Sequence, residues 1–104
     1  MNKIIVQFAL GADTDFDDLI QVEDTLILEL LADRSAGVDR HDIGEARFNI
    51  YIHLKQGWEP ALGHVMQALK RLNRLEDSVV AKLDGETDAF EVVWPKDYVG
   101  KFAL

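Results

Sequence analysis

The sequence predicts an α+β domain: one antiparallel sheet with two helices on a single face. Three observations lead there. Residues 47–54 alternate, with Phe48, Ile50, Ile52 and Leu54 on one side and Arg47, Asn49, Tyr51 and His53 on the other; this is the period-two pattern of a half-buried strand. Two other stretches repeat apolar residues every three to four positions, the spacing of a helix face. Segments of the two kinds follow one another as β-α-β-β-α-β-β. The first six match the split β-α-β, or ferredoxin-like, plan, with one strand added at the C-terminal end.

Residues 3–10 alternate Ile4, Val6, Phe8 and Leu10 against Ile5, Gln7 and Ala9, which predicts the first strand. The run is short, Gln7 interrupts it and acids follow, so a strand is expected here rather than a signal segment. Asp13, Thr14 or Asp15 can cap the first helix by accepting from its free N–H groups. Phe16, Leu19, Ile20, Val22, Leu26, Ile27, Leu30 and Leu31 give that helix its apolar face. Gly37 is expected to end it. Residues 38–43 form the second strand, Gly44 a tight turn, and residues 46–54 the third strand. Pro60 suits the first turn of a second helix, which Leu62, Val65, Met66, Leu69 and Leu72 anchor. Lys70, Arg71 and Arg74 complement the dipole at its end. Residues 78–83 and 89–94 predict a last hairpin around Asp84 and Gly85. Pro95 ends the final strand.

All 104 residues fit one domain, with 1–94 as the α/β sandwich and 95–104 as a tail. The expected strand order is five-four-one-three-two. Strands one and three are expected to be parallel neighbours, so that both helix N-termini converge at one end of the sheet. The face away from the helices would present Ile5, Gln7, Arg47, Asn49, Tyr51, His53, Val80, Lys82, Glu91 and Val93. Several of these are too apolar for a wet surface, so either the tail, with Tyr98, Val99, Phe102 and Leu104, or a second subunit should cover it.

The formal net charge is −8, from 19 acidic and 11 basic side chains. That field disfavours nucleic acid and anionic membranes and favours a basic partner. With no Cys, disulfides and thiolate chemistry are excluded. No stretch approaches a membrane span, and a cytoplasmic location is the default expectation. No cofactor is expected: GxGxxG and GxxxxGK[ST] patterns are missing.

The candidate functional residues fall into four groups. Asp13, Asp15, Asp17 and Asp18 crowd the first helix start. Their spacing starts like a calcium loop, but Asp18 and Asp24 stand where that loop needs Gly and Glu, so acids complementing the helix dipole are the plainer account. Asp39, His41 and Asp42 precede the third strand. His41 with Asp42 or Glu45 could form a carboxylate–histidine pair, although alternation sets His41 and Asp42 on opposite faces. Asn49, Tyr51 and His53 share the open face and could hold a small ligand. Trp58 either seals the second helix start or serves as an exposed anchor; Trp94 should join the core beside Phe90 and Val92. His64 has Ala68 at i+4, so no helical metal pair exists. Ser35 and Ser78 lack the context of an activated nucleophile.

The run Gly37-Val38-Asp39-Arg40-His41-Asp42-Ile43-Gly44-Glu45, followed by alternating Phe48, Ile50 and Ile52, resembles a group of small bacterial α+β proteins. These carry an acidic first helix, a VDG-type hairpin and an NIYIY-type strand. Arg40 stands where that pattern has Gly. The resemblance covers the first helix through the third strand. It implies the α+β plan and, since the group has no established activity, brings no catalytic residue.

The sequence therefore points first to a small binding or regulatory module, dimeric through its sheet face, that acts through that open face or through the acidic helix-start end. A second reading is an acidic inhibitor or immunity-type protein, steered by Asp13, Asp15, Asp17, Asp18, Glu23 and Asp24 onto a basic effector. A third is an enzyme using His41 or His53 as acid or base.

Overall fold

The computed structural model describes residues 2–34, 36–44 and 46–104. The elements are β1 (Lys3–Ala9), α1 (Phe16–Asp33), β2 (Ala36–Gly44), β3 (Arg47–Leu54), α2 (Trp58–Arg71), β4 (Ser78–Leu83) and β5 (Phe90–Trp94). The fold is α+β, with five strands in one sheet ordered β2-β3-β1-β4-β5. Read from β5, this is the order that the element sequence predicts.

Every neighbouring pair is antiparallel, including β1 with β3, where Val6 faces Ile50. This corrects the expected parallel pairing of those strands. The β2–β3 hairpin must reverse direction, so a β2 that runs with β1 forces β3 against it. The helices after β1 and β3 consequently start at opposite ends of the sheet, and no pair of helix N-termini converges.

One face of the sheet carries the main core. Ile4, Val6, Phe8, Phe48, Ile50, Ile52 and Val80 pack there against Leu19, Val22, Leu26 and Leu30 of α1 and Ala61, Val65, Ala68 and Leu69 of α2. Asp15 caps α1, its Oδ1 accepting from Asp17 N at 3.0 Å. Thr14 Oγ1 accepts from Gly11 N at 2.7 Å. The helix ends on Arg34 in the left-handed region, φ 64°, not on Gly37, which lies inside β2. Arg34 N still closes on Leu30 O at 2.9 Å, which satisfies one of the terminal carbonyls.

The other face is covered by the tail. Phe102 packs on Ile5, Tyr51 and Ala81, flanked by Val79, Val92 and Tyr98. Phe90 lies 5.0 Å from Phe102, ring to ring. This corrects the expected parity of the last hairpin. Val80 opposes Val6 and therefore faces the helices; Lys82 reaches the Trp58 ring, 5.2 Å from its centroid. A bulge between Val80 and Ala81 pairs Val80 with Trp94 but Ala81 with Val92. Trp94 thus joins the helix-side core while Phe90 and Val92 face the tail. The more apolar side of these strands, with Val79 and Ala81 in β4 and Phe90 and Val92 in β5, faces the tail, which makes a second apolar layer, so alternation alone does not tell which side meets the helices.

Gly44 has a different purpose from the one expected. A Cβ there would sit 2.8 Å from the Leu104 carbonyl oxygen, so it is the tail's close approach that requires glycine. The left-handed residue in the following turn is Ala46, φ 59°.

Candidate functional site

Under the tail lies a row of hydrogen-bonded polar side chains, contributed by β1, β3 and β2 in sequence across the sheet. Gln7 opposes Asn49, which opposes Asp42. Residues directly opposite share a face, so strand register alone lines these three up. Gln7 Nε2 donates to Asn49 Oδ1 at 2.9 Å and to the Ala103 carbonyl at 2.8 Å. Asn49 Nδ2 donates to Asp42 Oδ1 at 3.1 Å. The Tyr51 hydroxyl donates to Asp42 Oδ2 at 2.8 Å, and Arg40 Nη1 reaches the same oxygen at 3.3 Å. The Arg40 guanidinium also lies over the Tyr51 ring, 4.3 Å from its centroid, a favourable cation–π placement.

Asn49 is fully buried and Gln7 nearly so, which a sheet face tolerates only when the amides find partners. Burial of Asp42 opposes its ionisation, but the hydrogen bonds from Asn49, Tyr51 and Arg40 outweigh that and hold its carboxyl below the ordinary value. Burial, followed by the bond to Asp42, pushes the Tyr51 phenol up to about 12. The row therefore holds one fixed negative charge and a neutral phenol at neutral pH.

His53 shares this face but sits at its margin, opposite Gly37 and Lys3. Its Cε1 lies 3.0 Å from where a Gly37 Cβ would be, so Gly37 makes room for the ring. Asp39 is exposed and pairs with Lys3 Nζ at 3.2 Å.

His41 points the opposite way. Its Nδ1 lies 2.8 and 2.9 Å from the two oxygens of Glu23 on α1. Carboxylate oxygens only accept, so Nδ1 carries the proton. The ring stacks on Phe48 at 5.0 Å, with Phe16 edge-on at 6.4 Å. The carboxylate partner is thus Glu23, not Asp42; Glu45 lies outside the described residues. Glu23 is buried between α1 and the sheet, and the pair ties α1 to the edge strand.

The acidic start of α1 is divided between structural tasks. Asp15 caps; Asp18 accepts from Arg74 Nη1 at 2.6 Å; Asp13 and Asp17 are exposed. Asp13, Asp15, Asp18, Asp77 and Arg74 line a surface cleft of about 490 Å³, with Phe8 at its base. Arg74 also stands over the Phe8 ring, at 5.3 Å. Among the described residues, no three His, Asp or Glu side chains gather as a metal-ligand set. Trp58 opens α2 and, partly buried, packs against the main core. His64 is half-buried beside Glu29, 3.6 Å away.

From sequence, Gln7 is only one of the open-face residues and Glu23 only one of the steering acids, neither with the partner it has here, and the tail carbonyl of Ala103 is not singled out at all. The signal for Gln7 was present: it is a lone amide inside an apolar strand. Glu23 and Ala103 are joined to their partners over 18 and 96 residues, and no local pattern encodes such pairs. No protein-family model matches the chain, and no curated protein matches it in sequence.

Proposed function

We propose that the protein is a small binding module whose recognition surface is the tail side of the sheet. At rest its own residues 95–104 fill that surface, and an extended segment of similar chemistry from a partner replaces them. The observation that carries this reading is the bond from Gln7 to the Ala103 carbonyl. A side-chain amide that reads a main-chain carbonyl accepts any residue at that position. Specificity then falls to the buried aromatic anchor, Phe102, on Ile5, Tyr51 and Ala81, with Tyr98 beside it. One main-chain contact beside one apolar pocket is a recurrent way of holding extended peptides. The reading takes the fold as ferredoxin-like with β5 appended, and the sheet face of that plan as the working surface.

The test uses the full-length chain and a synthetic peptide of residues 95–104. The Phe102→Ala variant loosens the resident tail, so the peptide should bind it at least about tenfold more tightly than it binds the unaltered protein. The side-chain amide signals of Gln7 and Asn49 should shift on binding. A peptide carrying Ala in place of Phe102 should bind neither form. Failure of the Phe102→Ala protein to bind the intact peptide, with its circular dichroism unchanged, overturns the reading.

A further inference from the structure

We infer that two copies of this chain associate side by side across the β2 edge, with the exposed flank of α1 meeting its counterpart. Of the tail-side surface only Arg40 and Asp42, at its β2 margin, enter this contact; neither the tail nor its seat on Gln7 and Ile5 takes part, so the inference does not rest on the proposed function.

Three features meet at that edge. The first is β2 itself, a nine-residue strand at the end of the sheet order, whose outer N–H and C=O groups face no strand among the described residues. Such an edge is a template for another strand.

The second is α1. Contacts fix its orientation: Glu23 and Phe16 meet His41 on β2, while Glu29 meets Arg71 on α2 at 2.9 Å. At about 100° per residue, Phe16, Ile20, Ile27 and Leu31 fall within about 60° of each other, on the β2 side. Phe16 and Ile27 are each 40% exposed and Leu31 is 68% exposed. Ile43, opposite the core residue Phe48 and so on the helix side of β2, is 56% exposed. An apolar stripe therefore runs the length of the helix beside a free strand edge. A lone peptide strand would pair the edge and leave the stripe in water. A second copy docked about a twofold axis covers both, because the two α1 helices then run antiparallel beside one another.

The third is charge. Arg40 and Asp42 lie two residues apart and both reach Tyr51 on the tail side. In an antiparallel β2–β2 pairing centred on His41, each Arg40 faces the other copy's Asp42, so the edge is complementary to itself. Shifting the centre to Arg40 sets arginine against arginine. The bulge between Val38 and Arg40 keeps the ladder short, so the apolar stripe supplies most of the affinity.

Sedimentation and light scattering of the full-length protein over a range of concentrations test this. A concentration-dependent dimer is expected. Leu31→Glu combined with Ile43→Lys should weaken it at least about 100-fold, since each change occurs twice in a symmetric interface. Both positions are exposed, and an unchanged far-UV spectrum verifies the fold. Leu28→Glu is the control: Leu28 is as exposed as Leu31 but lines the groove with His64 and Arg71, so the dimer should persist. A protein that stays monomeric to about millimolar concentration, a dimer indifferent to the double substitution, or one lost equally on Leu28→Glu would each overturn the inference.

Discussion

The two faces of the sheet are built from the same strands yet held by different physics. On the helix side, 16 of the described residues are buried in one apolar cluster around α1 and α2. On the tail side, four buried residues, Ile5, Tyr51, Ala81 and Phe102, stand beside a polar row. The helix side draws its stability from area, which no single side chain dominates. The tail side depends on a few named contacts. Hydrogen bonds contribute about 1 kcal/mol each but cost more when one partner is left buried and unmet. A face of that kind can open while the other stays closed, and this contrast is why the tail side is the candidate for binding.

The largest expected effect sharpens the helix side of the comparison. Ile50 is fully buried there, and Ile50→Ala should lower unfolding free energy by about 2–5 kcal/mol, read as a shift of the urea midpoint. Next comes the polar row. Asn49→Ala removes the acceptor of Gln7 and a donor to Asp42 at once, and should cost about 2–3 kcal/mol; an equal loss from Asn49→Leu would show that bonding, not volume, is at stake. Were Asn49→Ala harmless, the row would be ornamental and the contrast between the faces would fail.

The pH dependence probes the same row more gently. The folded-state pKa of Asp42 is depressed, so its contribution is present above the ordinary carboxylate value and is lost as pH falls through the lowered one. Asp42→Asn should flatten that acid limb of the stability curve. Tyr51 behaves in the opposite sense. Its pKa is raised to about 12, so its contribution is intact below its unfolded value of about 10 and disappears as pH climbs through 12. Tyrosinate absorbance should show one phenol ionising near 12, a component that Tyr51→Phe abolishes. The smallest effect belongs to the surface. The Lys3–Asp39 pair is solvent-exposed on the Asp39 side, and Asp39→Asn should change stability by about 0.5 kcal/mol or less.

Much of the architecture was legible in the chain. The alternation of residues 47–54 fixed which side chains of β3 enter the core, and Asp15 was among the caps proposed for α1. The direction of β3 relative to β1 was misjudged, although the hairpin before β3 already required it. The parity of β4 and β5 is misleading for a better reason: their apolar side meets the apolar tail rather than the helices, and a bulge between Val80 and Ala81 resets the pattern. Of the candidate residues, Asn49, Tyr51 and Asp42 come together in one row, with Asp39 and His53 at its margin. His41 faces the opposite side, and Trp58 and the acids of α1 lie elsewhere.

By itself the sequence determined the class of fold, its element order and the two sides of β3, because hydrophobic periodicity is a local property that each segment carries wherever it ends up. Only the tertiary structure decided that Gln7 meets Ala103, that Glu23 and not Asp42 holds His41, and that Gly44 must be bare for the tail to pass. Those pairings arise from register and from chain segments meeting across the whole length of the molecule, and a hydrogen bond between distant residues leaves no pattern in either of them until the sheet has brought them within 3 Å.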